Sequence, residues 1–195
     1  MAVLNDIPGA KEALAQAREE EESRRELAFT DLPETICGLD VKQLTPNHLR
    51  LLFAAKTPFL CGGHRTPEAI AQFLWIVSEE FSNSDLDRTA FIQLIADMPV
   101  DWETGIDDYL DRVFMDSPTA SGSRKAPIVS LSASLVHELA SAYGWTPEQT
   151  LNQPLARLYQ LFRLITRDNN PKATFTNKIS DVVTKKLLLG DSQNG

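Results

Sequence analysis

Thr45-Pro46, Thr66-Pro67 and Thr146-Pro147 repeat one device that constrains what this chain can fold into. In each pair the Thr oxygen can accept from a backbone N–H that a helix start leaves orphaned. The Pro has no N–H to lose, and its φ is already helical. Glu68 and Glu148 then fall in the positive end of the helix dipole. Thr146 with Gln149 also matches a capping box. Apolar residues at i, i+3, i+4 and i+7 follow these starts and recur elsewhere. Ile70, Phe73, Leu74 and Val77, extended to Phe81, form one stripe, and Phe91, Leu94, Ile95 and Met98 form the next. Trp102 leads into Ile106, Tyr109, Leu110 and Val113, and Leu155, Leu158, Tyr159 and Phe162 make another. A looser stripe of Ile128, Leu131, Leu135 and Leu139 runs to Gly144, a residue suited to ending a helix in the left-handed region.

The fold class expected is therefore mainly α: a compact multi-helix domain with one short N-terminal β-hairpin, a flexible N-terminal arm and a C-terminal tail. The hairpin falls in Thr35 to Leu44, where Thr35, Ile36 and Val41 favour a pleated backbone and Gly38 can turn it. Residues 1–30 read as a charged helical or mobile arm. Its apolar stripe of Ala10, Ala13, Leu14 and Ala17 gives way to Glu19-Glu20-Glu21-Glu22 and Arg24-Arg25. A helix polar all round is weakly held unless it meets a partner. Residues 31–168 make the helical body. A flexible linker spans 116–127 inside it, rich in Ser, Gly and Pro from Ser117 to Pro127. Residues 169–195 form an amphipathic or disordered tail whose apolar stripe is Phe175, Ile179, Val182, Val183 and Leu187.

Charge excludes some functions. The net value of −8 hides a segregation. Residues 68–116 carry 12 acidic and 2 basic groups, whereas 156–190 carry 7 basic and 2 acidic. An acidic chain lacks the basic excess of a dedicated nucleic-acid binder. The segregation suits solvated helix faces, or an electrostatically steered contact with another chain or another copy of this one. No apolar run reaches the roughly 18 residues of a membrane span. The first ten residues lack a basic stretch followed by an apolar one, so no secretory leader is expected.

Chemistry-bearing motifs are sparse, and neither a metal nor a cofactor is expected. Cys61-Gly62-Gly63-His64 has ligand-like spacing, but a zinc site needs about four ligands, and Cys37 and His48 would have to come from elsewhere in the fold. The plainer reading is a glycine turn between helices. Nothing in the sequence places His48, His64 or His137 beside a thiol. Asp101, Glu103, Asp107, Asp108 and Asp111 fail the calcium-loop pattern because Ile106 stands where Gly is required, and read as a solvated face.

Two stretches carry a family resemblance. The first is Ile36-Cys37-Gly38-Leu39 through Leu44-Thr45, then Leu49-Arg50-Leu51-Leu52, Pro58-Phe59-Leu60 and Gln72-Phe73-Leu74-Trp75-Ile76-Val77-Ser78. The second is Tyr143-Gly144-Trp145, Leu151 and Pro154-Leu155-Ala156-Arg157-Leu158-Tyr159-Gln160. Together they resemble tail-module proteins of tailed bacteriophages and prophages, and among these the tail assembly chaperones. The resemblance spans roughly two thirds of the chain, where helical periodicity is clearest. It implies a non-enzymatic factor of the bacterial host cytoplasm that binds the tape-measure protein, keeps it soluble during tail assembly and is absent from the mature virion. The tail stripe from Phe175 to Leu187 is the first expected partner contact, through helix-in-groove capture. Two other readings stay open: a structural virion protein of the tail or neck, and a thiol-dependent enzyme using Cys61 with His64.

Overall fold

A computed structural model describes residues 9–30, 32–81, 85–117, 130–172 and 175. The linker beyond Ser117, Ile128, and the tail residues Ile179, Val182, Val183 and Leu187 lie outside the described residues. The chain is mainly α with one two-stranded antiparallel hairpin. The helices are α1 (Ala10–Leu27), α2 (Pro46–Ala54), α3 (Pro58–Cys61), α4 (Pro67–Val77), α5 (Asp85–Asp97), α6 (Trp102–Val113), α7 (Leu131–Tyr143), α8 (Pro147–Leu151) and α9 (Leu155–Asn169). The hairpin pairs β1 (Glu34–Ile36) with β2 (Leu39–Val41), Ile36 opposite Leu39. Its two-residue turn places both Cys37 (φ 50°) and Gly38 (φ 85°) in the left-handed region, as the tight turns that match strand twist require.

The helix starts follow the threonines. Thr45, Thr66 and Thr146 each accept from the backbone N–H three residues on, at 3.2 Å. Thr146 and Gln149 complete the expected capping box, and Thr45 makes a second one with His48. Thr57-Pro58 starts α3 without a side-chain cap. Gly144 ends α7 at φ 69°.

The core centres on α4, where Phe73, Leu74, Trp75, Ile76 and Val77 are all buried. Around it stand Ile106, Tyr109 and Val113 of α6, Leu49 and Leu52 of α2, Phe91 and Ile95 of α5, Leu135 and Leu139 of α7, and Leu155, Leu158 and Tyr159 of α9. Two expected stripes need correction. The α4 helix stops at Val77 and does not run to Phe81, because Ser78 turns extended and pairs with Val41. Phe81 still packs on Trp75, with ring centroids 5.9 Å apart. In α5, Leu94 is half exposed. That helix packs mainly on α4, which Phe91 and Ile95 suffice to cover.

Gly105 sets how closely the hairpin approaches α6. A Cβ there would land on Cys37 Sγ and lie 3.2 Å from Ile36 Cγ2. Gly105→Ala should therefore destabilise the protein by about 1–3 kcal/mol through overpacking, more than the roughly 1 kcal/mol gained in helix propensity. Denaturant titration checks this, and adding Cys37→Ala should recover part of the loss.

Candidate functional site

A cleft of about 420 Å³ opens between the C-terminal end of α1, the hairpin, the end of α6 and the first turns of α9. This volume is that of a ligand-sized site. Ala28, Val113 and Met115 line it as buried residues. Leu27 and Leu32 also line it, yet remain 49% and 58% exposed. Large aliphatic side chains this open, bordering a concavity, are apolar area that a partner could remove from water.

Side chains from distant elements hold the cleft in shape. The last carbonyls of α1 have no partner within their own helix, and α9 supplies donors for them. Gln160 donates to Arg25 O at 3.1 Å, and Arg157 donates to Ala28 O at 2.8 Å. The Arg157 guanidinium also lies over the Phe29 ring, 5.4 Å from its centroid. From the third side, the Gln43 amide reaches the carbonyls of Leu27, Thr30 and Leu32 at 3.0–3.3 Å. Arg112 of α6 donates to Thr35 O at 3.1 Å and pairs with Glu34 at 3.6 Å. Burial raises the Glu34 carboxyl above its ordinary range, against the opposing charge of Arg112.

Asp116 is the ionic centre of this region. Composition puts it at the start of the linker, yet it is only 3% exposed. Its carboxylate takes both Nε and a terminal nitrogen of Arg25 at 3.0 Å. It also pairs with Arg163 at 2.8 Å, and its backbone carbonyl accepts from Arg163 Nε at 3.1 Å. Glu21, also buried, approaches Arg25 at 4.0 Å. Hence the charged half of α1, which argued for weak attachment, is what fastens α1 to α9. Sequence reasoning missed Asp116, Gln43, Arg157 and Gln160. Arg157, Gln160 and Arg163 did carry a signal, a line of polar residues three apart among the apolar residues of 155–165.

The motifs singled out in the sequence are scattered. Cys61-Gly62-Gly63-His64 is the exposed turn after α3, with Gly62 at φ 74° and Gly63 at φ 120°. Both thiols are free and exposed. Cys37 donates to Asp101 O at 3.4 Å, and partial desolvation with the charges of Asp101 and Asp108 pushes its thiol up, away from the thiolate. His137 is exposed on α7. His48 is held in the α2 cap, where its Nδ1 accepts from Thr45 N at 3.3 Å. The acidic cluster of α6 is more than a solvated face. Asp101 caps the helix, and Asp107 holds Arg65 through two hydrogen bonds, with Glu103 3.7 Å away. Among the described residues no group of three or more His, Cys, Asp and Glu could hold a metal ion. Among them also, no helix is long and apolar enough to cross a membrane. Of the expected partner contacts, Phe175 is described. It is partly exposed, and the Arg163 guanidinium lies 5.3 Å from its ring centroid.

Asp116→Asn should lower stability by about 3 kcal/mol, because it leaves two arginines facing a neutral amide in a part-buried site. Urea unfolding of the variant reads this directly. His48 gives a pH signature. Burial, reinforced by the charge of Lys42, pushes it down to about 4. The unfolded chain takes up this proton near pH 6.5 while the folded chain does not. Stability is therefore full above that pH and falls as pH drops toward 4, by up to about 3 kcal/mol. His48→Gln, which keeps a capping-box residue at that position, should flatten this part of a stability–pH profile.

Set beside known proteins, the chain matches no family model, no curated protein and no solved structure.

Proposed function

We propose that the chain is a non-enzymatic assembly chaperone of a phage tail module that binds the tape-measure protein and keeps it soluble. The observation that carries this reading is the cleft with its half-exposed leucines, Leu27 and Leu32. A tape-measure protein is long, helical and apolar along one side. Such a partner presents anchors at i, i+3, i+4 and i+7 that a groove of this kind can cover. Covering them removes apolar surface from water and from competing self-association.

Two further features support the reading. The stretches that carry the resemblance to tail assembly chaperones pack into one body, joined where Leu155 N donates to Leu44 O at 2.7 Å. The wall of the cleft is also firmly held, by Gln43, Gln160, Arg157 and Asp116, so its shape exists before a partner arrives. A pre-shaped groove avoids the ordering cost that a loose loop would add to binding. On this reading the protein works in the cytoplasm of the bacterial host and does not stay in the particle.

Co-expression with the tape-measure protein of the same module tests the proposal. Leu27→Glu with Leu32→Glu should cut the soluble tape measure recovered with the chain by about tenfold or more, since each leucine contributes about 1.5–3 kcal/mol when fully covered. The far-ultraviolet spectrum should stay helical. Undiminished recovery refutes the cleft as the binding site. Stoichiometric presence of the chain in purified particles would instead identify a structural part of the tail or neck.

A further inference from the structure

We propose that the cleft selects a partner helix that carries a carboxylate, Asp or Glu, one turn from its aliphatic anchors, and that this carboxylate docks between Arg24 and Arg112. The selectivity rests on the reading that the cleft captures a helix, and it specifies which helices fit.

The lining of the cleft holds three arginines, Arg24, Arg25 and Arg112, against two carboxylates, Glu34 and Asp116. These charges do not all face the opening. Asp116 is buried, and its carboxylate is taken up by Arg25 and Arg163. The side chains of Arg24 and Arg112 are 27% and 29% exposed. Glu34, equally open, is the one lining carboxylate beside them. Both guanidiniums act on the Glu34 carboxyl, which places them around one spot, and burial still raises that carboxyl above its ordinary range. The mouth of the cleft is thus short of negative charge.

Both arginines keep donors for a ligand. Arg24 is hydrogen-bonded to Glu20, an exposed partner one turn earlier on α1, and exposed pairs of this kind contribute little. Arg112 uses Nη2 on Thr35 O and turns Nε toward Glu34, which leaves Nη1 without a hydrogen bond among the described residues. A guanidinium carries five N–H donors in a fork that matches a carboxylate.

Helix α1 sorts its charges around its axis. Arg24, Arg25, Leu27 and Ala28 line the cleft, whereas Glu19, Glu22 and Glu26 are exposed and outside the lining. Those three glutamates fall about 140–160° around the helix from Arg24. Leu27 follows Arg24 by three residues, so the two are neighbours on one face. A partner helix laid along α1 with an aliphatic side chain on Leu27 therefore brings its residue one turn away level with Arg24. Positions i, i+3 and i+4 of that partner have the matching spacing.

The test uses the full-length chain and three synthetic helical peptides of about 18 residues. All share leucines at i, i+3, i+4 and i+7, and they differ only in carrying Glu, Gln or Lys one turn from the central leucines. By fluorescence anisotropy the Glu peptide should bind about fivefold or more tighter than the Gln peptide, with the Lys peptide weakest. Raising salt from about 0.05 M to about 0.5 M should erase most of this difference. Arg24→Gln should cut the preference and leave the Gln peptide bound as before. Glu34→Gln, which removes the competing carboxylate, should tighten the Glu peptide several-fold, a gain that no misfolded variant produces. Leu27→Ala with Leu32→Ala should weaken all three peptides, which locates them in the cleft. Equal affinity for the Glu and Gln peptides, both still lost with the leucines, overturns the carboxylate selectivity and leaves the groove reading standing. An acidic preference unchanged by Arg24→Gln and Glu34→Gln places the carboxylate elsewhere and also overturns it. So does the absence of any peptide binding while tape-measure recovery still depends on Leu27 and Leu32.

Discussion

Four residues, Val41 to Leu44, tie the molecule together through backbone groups that burial obliges to find partners. Val41 pairs with Ser78 at the end of α4, and Lys42 N donates to Val77 O at 2.7 Å. Lys42 O accepts the hydroxyl of Tyr109 at 2.9 Å, and Leu44 O accepts Leu155 N at 2.7 Å. One short segment thus fixes the hairpin against α4, α6 and α9. The first free N–H of α9 is satisfied in the same stroke. Tyr109 is fully buried, and burial raises its phenol far above the ordinary range, so it remains a hydrogen-bond donor. Gln43 projects from this fixed strip toward the α1–β1 connection. The cleft inherits its rigidity from there.

What could be read from the sequence was local. A Thr-Pro pair fixes a helix start within four residues, so the starts of α2, α4 and α8 stand where the caps placed them. Gly144 ends α7 for an equally local reason. The stripe on α6 was legible because that helix is amphipathic and its apolar side faces the core. The errors have a common cause in distant contacts. Helix α4 ends at Val77 because Val41, at the end of a strand far earlier in the chain, claims Ser78, and helical periodicity carries no trace of that. Leu94 keeps the spacing of a core residue but faces outward, since α5 packs mainly on a single helix.

The cleft was the least legible part, again for a physical reason. Its walls are made by polar side chains reaching backbone carbonyls of other elements, Gln43 across 11–16 residues of chain and Arg157 across 129 to Ala28. Composition assigned Asp116 to the linker because Ser, Gly and Pro follow it directly. Its role depends on Arg25 and Arg163, which stand 91 residues before and 47 after it. The charge segregation along the sequence was real, but its structural use is specific. Arg65 answers the carboxylates of α6, whereas Arg25 and Arg163 converge on one buried aspartate.

The manner in which α1 is attached sets it apart from the helices around α4. Its buried positions are Ala10, Ala17 and Glu21, none of them a large apolar side chain. Its hold on α9 runs through ion pairs and carbonyl contacts. Dissolved ions screen exposed charges but reach pairs centred on the buried Asp116 far less, while strongly hydrated salts such as sulfate reinforce the burial of apolar cores. The arm and the body of this protein therefore answer the same sulfate solution unequally: the body tightens, while the grip of the arm on Asp116 changes little.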